Sequence, residues 1–212
     1  MCDSVKLVNK FSKSEAIKFG WNTTKKNFPF LLKVYLIAGV ISVLGNTTYY
    51  KVKLIDFDFV TNFLIQTALW ILTTIISMGL IKIALKFTDD QKPNISDLYR
   101  QYPLFFKYFA GEILAAIAAF LGFILLIVPG IILFIKLYFV NLLIIDKGFG
   151  PIQAIKKSWK MTQGQFWNLF LFGLALLGLN ILGALALLIG LLWTIPTTSI
   201  ATAYVYRKLS PK

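Results

Sequence analysis

The chain has 212 residues, of which 58% are hydrophobic and 15% charged, and its mean hydropathy is +0.73. A soluble domain carries roughly 45–50% apolar and about 25% charged residues, so this excess is too large for one water-soluble core and indicates a chain dissolved in lipid. Lys and Arg number 22 against 9 Asp and Glu, giving +13, and histidine is absent. Its absence removes the commonest general base, metal ligand and pH switch. Cys2 is the single cysteine, which excludes an intrachain disulfide or a cysteine metal cluster. Neither a metal nor a cofactor is expected.

Crossing ~30 Å of hydrocarbon takes about 20 residues of helix. Residues 1–11 read as a flexible cytoplasmic N-terminus. The first 29 residues hold six lysines among scattered hydrophobics, so the apolar run behind them is expected to act as an uncleaved anchor. Spans are predicted from about Phe30 to Tyr49, from Val60 to Lys86 and from Lys107 to Val128. A tight hairpin turn at Pro129-Gly130 leads into a fourth span ending at Asp146. Phe166 to Tyr206 carries no charge over 41 residues, room for two more spans with a break near Leu187 to Gly190. Six spans are expected, as an all-α integral membrane bundle forming one domain. Gly111, Ala115 and Ala119 fall four apart, a smooth ridge of the kind that lets membrane helices approach closely, and make the third span the expected most enclosed one.

Charge sets the orientation. Seventeen Lys and Arg fall on the side of the two termini and two, Lys51 and Lys53, on the other, where Asp56 and Asp58 offset them. This positive-inside bias predicts a multi-pass protein of the cell (inner, cytoplasmic) membrane with both termini cytoplasmic. The cations lie beside membrane ends rather than on a soluble module with stacking platforms, so nucleic acid is excluded as a partner. Anionic lipid headgroups at the cytoplasmic face are the expected one, with a membrane-protein partner or a second copy as further candidates.

An internal repeat gives the chain its organisation. Ala16, Ile17, Lys18, Trp21, Thr24 and Phe28 recur as Ala154, Ile155, Lys156, Trp159, Thr162 and Phe166 at a constant offset of 138. Positions 17, 21, 24 and 28 step along one helix face, with lysines on the others; Ser12 and Glu15 suit a capping box and Pro151 an opening turn. Leu98, Tyr102, Phe105 and Phe109 form a fainter third copy, interrupted by Pro103. The predicted unit is an amphipathic interfacial helix followed by a transmembrane hairpin, used over residues 12–88, 95–146 and 151–208. Trp21, Lys25, Lys26, Trp159, Lys156, Lys157 and Lys160 are the expected lipid-contacting residues.

Polar residues inside spans are costly and therefore informative. Glu112 and Lys136 lie on consecutive spans, and read either as an interhelical ion pair or as a polar site for a headgroup, ion or proton. Gln66, Asn141 and Asn180 are the other intramembrane polar candidates. Asp89, Asp90 and Asp97 sit around Lys92-Pro93 and read as a solvated loop.

The order Pro129-Gly130-Ile131-Ile132, Lys136, Asp146, Ala154, Ser158-Trp159, Thr162, Gly164, Phe166, Pro196 and Tyr206 resembles the uncharacterised bacterial multi-pass proteins grouped with the membrane domain of glycerophosphoryl diester phosphodiesterases and the YciC-like proteins. The resemblance implies a six-span helical inner-membrane protein without established chemistry. In some relatives a phosphodiesterase barrel is fused behind the membrane part; its catalysis uses histidine, which is missing here, so the activity does not transfer. Intramembrane serine proteases, lipid-phosphate phosphatases and metalloproteases need histidine too, and no glycine-rich phosphate loop is present. An enzyme is not expected. Two functions remain: a non-catalytic component that organises lipid or assists a membrane partner, and a transporter or permeation protein with a polar site around Glu112 and Lys136.

Overall fold

The structure is a computed structural model that describes residues 11–51, 59–186 and 189–210. Cys2, Lys53, Asp56, Asp58 and residues 1–10 lie outside the described residues. Among the described residues every regular element is helical. In chain order these are α1 (Lys13–Lys26), α2 (Phe28–Lys51), α3 (Phe59–Thr88), α4 (Phe105–Leu125), α5 (Ile127–Lys136), α6 (Val140–Lys147), α7 (Pro151–Met161), α8 (Phe166–Leu185) and α9 (Leu191–Leu209). Four stretches are helical, long and apolar enough to cross a membrane, and a fifth if the bent pair α1–α2 counts as one; α9 is not among them.

Local chemistry explains the breaks. Ser12 caps α1 by accepting the Glu15 N–H at 3.3 Å, but the Glu15 side chain does not complete the box; it accepts from Tyr204 and pairs with Lys208 instead. Asn27 ends α1 with its backbone N–H on Thr23 and Thr24 and its side chain on Thr23. Pro29 then starts α2, where a missing N–H costs nothing, and the axis turns by 93°. The predicted hairpin turn moves. The chain reverses at Leu126, which is extended (φ −167°, ψ 156°), and Pro129-Gly130 lies within the first turns of α5. Gly130 is there because a side chain would strike the Phe123 ring, and its backbone faces Gly122 of α4. Closeness of α4 and α5, not turn geometry, selects that glycine.

The predicted fourth span is bent at residues 137–139, between α5 and α6. Ser158 of α7 fills the gap in the ladder: its hydroxyl donates to the Lys136 carbonyl at 2.7 Å and accepts the Phe139 N–H at 3.2 Å. Gly148 (φ 66°) ends α6 in the left-handed conformation, and Lys107 donates to its carbonyl at 3.1 Å.

α9 is the centre of the bundle. Ten of its nineteen residues are buried, including Thr194, Thr197 and Thr198, and it touches α1, α2, α3 and α8. The expectation that the third span is most enclosed is overturned. α4 buries Tyr108, Gly111 and Gly122 and turns Ile113, Leu114, Ile117, Phe120, Leu121 and Ile124 outward. Its glycines serve one narrow seam against α5 and α6.

The short connecting elements dock in a regular way. α1 runs antiparallel along α9: Glu15 meets Tyr204, Gly20 lies on the Thr197 carbonyl and Ala201, and Trp21 reaches Trp193. The short 3-10 turn Ile95–Leu98 packs on α3, with Leu98 covering Gly79. α7 lies back along α6. In α1 and α7 the buried positions are Ala16, Gly20 and Thr24, and Ala154, Ser158 and Met161, with Thr162 just beyond. The face read from the tryptophans is therefore one step off; small residues face the bundle and both tryptophans face out. The third copy is not an α-helix, since Ile95–Leu98 and Tyr102–Leu104 are 3-10 turns. The predicted break between the last two spans falls between Leu185 and Leu191, and Phe11, assigned to a flexible N-terminus, is buried against Phe172.

Candidate functional site

α3, α6 and α9 converge at one end. Arg207 of α9 grips Asp146 of α6 through Nη1 to Oδ2 at 2.6 Å and Nη2 to Oδ1 at 2.7 Å. Nη2 also reaches Asp89, just past α3, at 2.7 Å. Tyr206 donates to Asp146 Oδ2 at 2.8 Å. A bidentate guanidinium–carboxylate pair of this kind is strong and geometrically demanding, and the Asp146 carboxylate retains only 7% of its surface. Beside it, Lys86 holds Asp97 at 2.7 Å from both carboxylate oxygens. Burial alone raises the Asp97 carboxyl, but the Asn94 N–H and the Lys86 ammonium outweigh it and hold the group below the ordinary carboxylate value.

About a turn inward from the Arg207 cluster, the same three helices and α8 enclose a cleft of about 430 Å³. Its walls are mostly Leu, Ile and Ala, broken by Ser77, Tyr138, Asn180, Thr198, Ser199 and Thr202. Ser77 donates to Thr73 O, and Thr198 and Ser199 both donate to Ile195 O, at 2.9–3.0 Å. Tyr138 and Thr202 share a hydrogen bond at 3.3 Å. Asn180 Oδ1 is buried with no partner. The four-residue spacing of Thr198 and Thr202 is the sequence signal for this stripe.

Of the sequence candidates, only Asn180 lines the cleft. Glu112 and Lys136 do not meet. The register of α4 on α6 sets Gly111 against Val140 and Ile144, which leaves Glu112 on the exposed side of α4. Lys136 Nζ instead stands over the Trp159 ring, 5.4 Å from its centroid. Gln66 is half-buried on α3, three turns from Ser77. Asn141 donates to the Tyr108 hydroxyl at 3.2 Å. Lys25, Lys26, Lys156, Lys157 and Lys160 are exposed, as are Trp21 and Trp159. The acidic loop is reassigned in part: Asp97 is buried, whereas Asp89, bridged to Arg207, and Asp90, at φ 54°, both stay exposed. No three His, Cys, Asp or Glu side chains among the described residues are grouped so as to hold a metal ion.

This is an all-helical bundle with several helices long and apolar enough for a membrane. Residues 123–212 match the family described as Protein of unknown function (DUF975). The chain is also 25% identical over 225 residues to the Uncharacterized protein Rv2560 of Mycobacterium tuberculosis, covering 94% of this chain and 69% of that one. The Uncharacterized protein Mb2590 of Mycobacterium bovis matches to the same extent. No solved structure matches.

Proposed function

We propose that the protein is a non-catalytic, multi-pass protein of the cell membrane, with six spans in three parallel repeats and both termini cytoplasmic, that organises anionic lipid around its cytoplasmic face. Its kinship with the glycerophosphoryl diester phosphodiesterase membrane domain and the YciC-like proteins belongs to the same proposal. One observation carries the reading: among the described residues, most acids near the lysine-rich end already have a cationic partner, and six exposed lysines have no acid. Asp97 pairs with Lys86, Asp89 and Asp146 with Arg207, and Glu15 with Lys208. Lys18, Lys25, Lys26, Lys156, Lys157 and Lys160 stay exposed, and no acid among the described residues forms an ion pair with them. Each such lysine near a membrane surface contributes about 1 kcal/mol of attraction to anionic headgroups. The exposed Trp21, Trp159 and Trp167 suit the headgroup level.

The repeat reading is supported by the docking order. Each short element leans on the last helix of the repeat before it: the 95–98 turn on α3, α7 on α6, and α1 on α9, which closes the order into a ring. α9 counts as a span despite its hydroxyl groups because neighbouring helices, not acyl chains, cover most of it.

The test is lipid selectivity in reconstituted vesicles. Spin-labelled phosphatidylglycerol is expected to be enriched several-fold over phosphatidylcholine in the boundary shell, with the preference lost when the six lysines become glutamine. Equal partitioning of the two lipids around the wild type would contradict the reading.

A further inference from the structure

The cleft between α3, α6, α8 and α9 has a chemical bias that lipid contact at the lysines does not explain. Ser77 and Thr198 have each given their proton to a carbonyl of their own helix, so they face the cleft with lone pairs only, while Ser199 is taken up by Ile195 O and the Tyr35 side chain. Asn180 Oδ1 adds a buried acceptor with no partner, a state that costs free energy until a donor arrives. Tyr138 and Thr202 together keep one proton to give after bonding each other. No carboxylate, lysine or arginine lines the space, so neither a cation nor an anion would find its charge compensated there.

Position and size narrow the choice. Thr202 and Thr198 lie five and nine residues before Arg207, hence about 8 and about 14 Å along the helix from the charged cluster. That is below the level of a phospholipid phosphate held at the lysine-rich end. A volume of about 430 Å³ falls within the range of small-molecule sites, enough for a small head and the upper part of its chains. Exposed Ser77 gives the cleft an open side on α3.

We infer that this cleft binds a neutral glycerolipid bearing a free hydroxyl, of the diacylglycerol class, whose hydroxyl donates to Asn180 or the threonine stripe and whose chains lie along the apolar walls. The inference rests on the reading of the bundle as membrane-embedded and adds a ligand to it. Arg207, Asp146 and Asp89 close the deep end of the site toward the cytoplasmic side, so the ligand enters from the bilayer.

The full chain is reconstituted in phosphatidylcholine vesicles with a diacylglycerol carrying a photoreactive diazirine in one acyl chain, and crosslinks are mapped by mass spectrometry. Labelling is expected on the α3, α8 and α9 residues that line the cleft. It is expected to fall about tenfold, the scale of one hydrogen bond, when the free hydroxyl is methylated, and similarly in Asn180→Leu and Thr202→Val. Equal labelling by the free and methylated probes overturns the inference, as does labelling confined to the outer face of α4. Preferential cleft labelling by a diazirine phosphatidylglycerol overturns it in favour of an acidic ligand. Should a variant fail to fold, the two probes on the wild type decide alone. A chain that resists carbonate extraction and keeps its lysine-dependent lipid preference, yet labels equally with both probes, loses this inference and not the function proposed above; extraction by carbonate removes both.

Discussion

α4 and α9 exchange the roles that their compositions suggest. α4 is almost wholly apolar yet turns most of its surface outward. α9 carries Thr194, Thr197, Thr198, Ser199 and Thr202 and is the most enclosed of the long helices, with Tyr206 fully buried. In water the hydrophobic effect would sort them the other way. In lipid, large apolar side chains gain little by going inside, so hydroxyls that bond their own helix or a neighbour can share the interior with buried residues such as Phe139, Phe172, Leu31 and Ile144. Thr197 shows this: its hydroxyl lies 2.8 Å from its own-helix carbonyl Trp193 O and 3.2 Å from Thr24 of α1. Apolar composition does not by itself mark the core here, since α4 is apolar and turned outward while α9 is hydroxyl-rich and buried.

The contrast can be broken hardest at Arg207. Arg207→Met strands the buried Asp146 and is expected to cost about 3 kcal/mol, the low end for a buried pair because the guanidinium keeps 23% of its surface. It should appear as a lowered melting temperature in detergent, with Arg207→Met combined with Asp146→Leu recovering part of the loss. Next comes close packing. Gly20→Val drives a side chain into the Thr197 carbonyl and Ala201 and is expected to cost about 1–3 kcal/mol, while the same change at Gly173 or Gly178, where nothing lies within 4 Å, leaves the melting temperature near that of the wild type. Ser158→Ala leaves the Phe139 N–H unpaired and the Lys136 carbonyl with only the long 3.5 Å contact from Thr162, with a loss of about 1–2 kcal/mol and faster amide exchange at Phe139.

Acid should act through Asp97. Its carboxyl is held below the ordinary value in the folded chain, so its contribution is complete above the unfolded value of roughly 4 and is withdrawn as pH falls through the lowered one. Melting temperatures followed from pH 6 down to pH 2 should show a shallower acid limb for Asp97→Asn. The smallest effect belongs to α4. Ile117→Ala and Phe120→Ala, both exposed on the outer face of α4, should change stability by less than about 0.5 kcal/mol, measured by reversible unfolding in mixed micelles.

Sequence reading reached the helical class, the apolar stretches and the helix ends near Thr88 and Lys147, because an apolar run bounded by lysines is a local property. The offset of 138 pairs Ala16 with Ala154, but the face read at 17, 21, 24 and 28 is not the one on which these alanines are buried. Missed features are those in which a distant partner decides. Leu126 rather than Pro129-Gly130 reverses the chain, since Gly130 answers to Phe123 and Gly122 across the hairpin. Lys136 pairs with Trp159 rather than Glu112 because α7 folds back over the α5–α6 break. Asp89 and Asp97 look like loop acids until Arg207 and Lys86, 118 and 11 residues away, are brought to them.

Footprinting by a membrane-soluble carbene reagent tests the inside-out arrangement most directly, on the unmodified protein in its bilayer. Heavy labelling is expected along α4, at Ile117, Phe120 and Ile124, with α9 nearly unlabelled at Thr197, Ile200, Ala201 and Val205, which are buried and do not line the cleft. Labelling of α9 as dense as that of α4, or an α4 that the reagent does not touch, would contradict it.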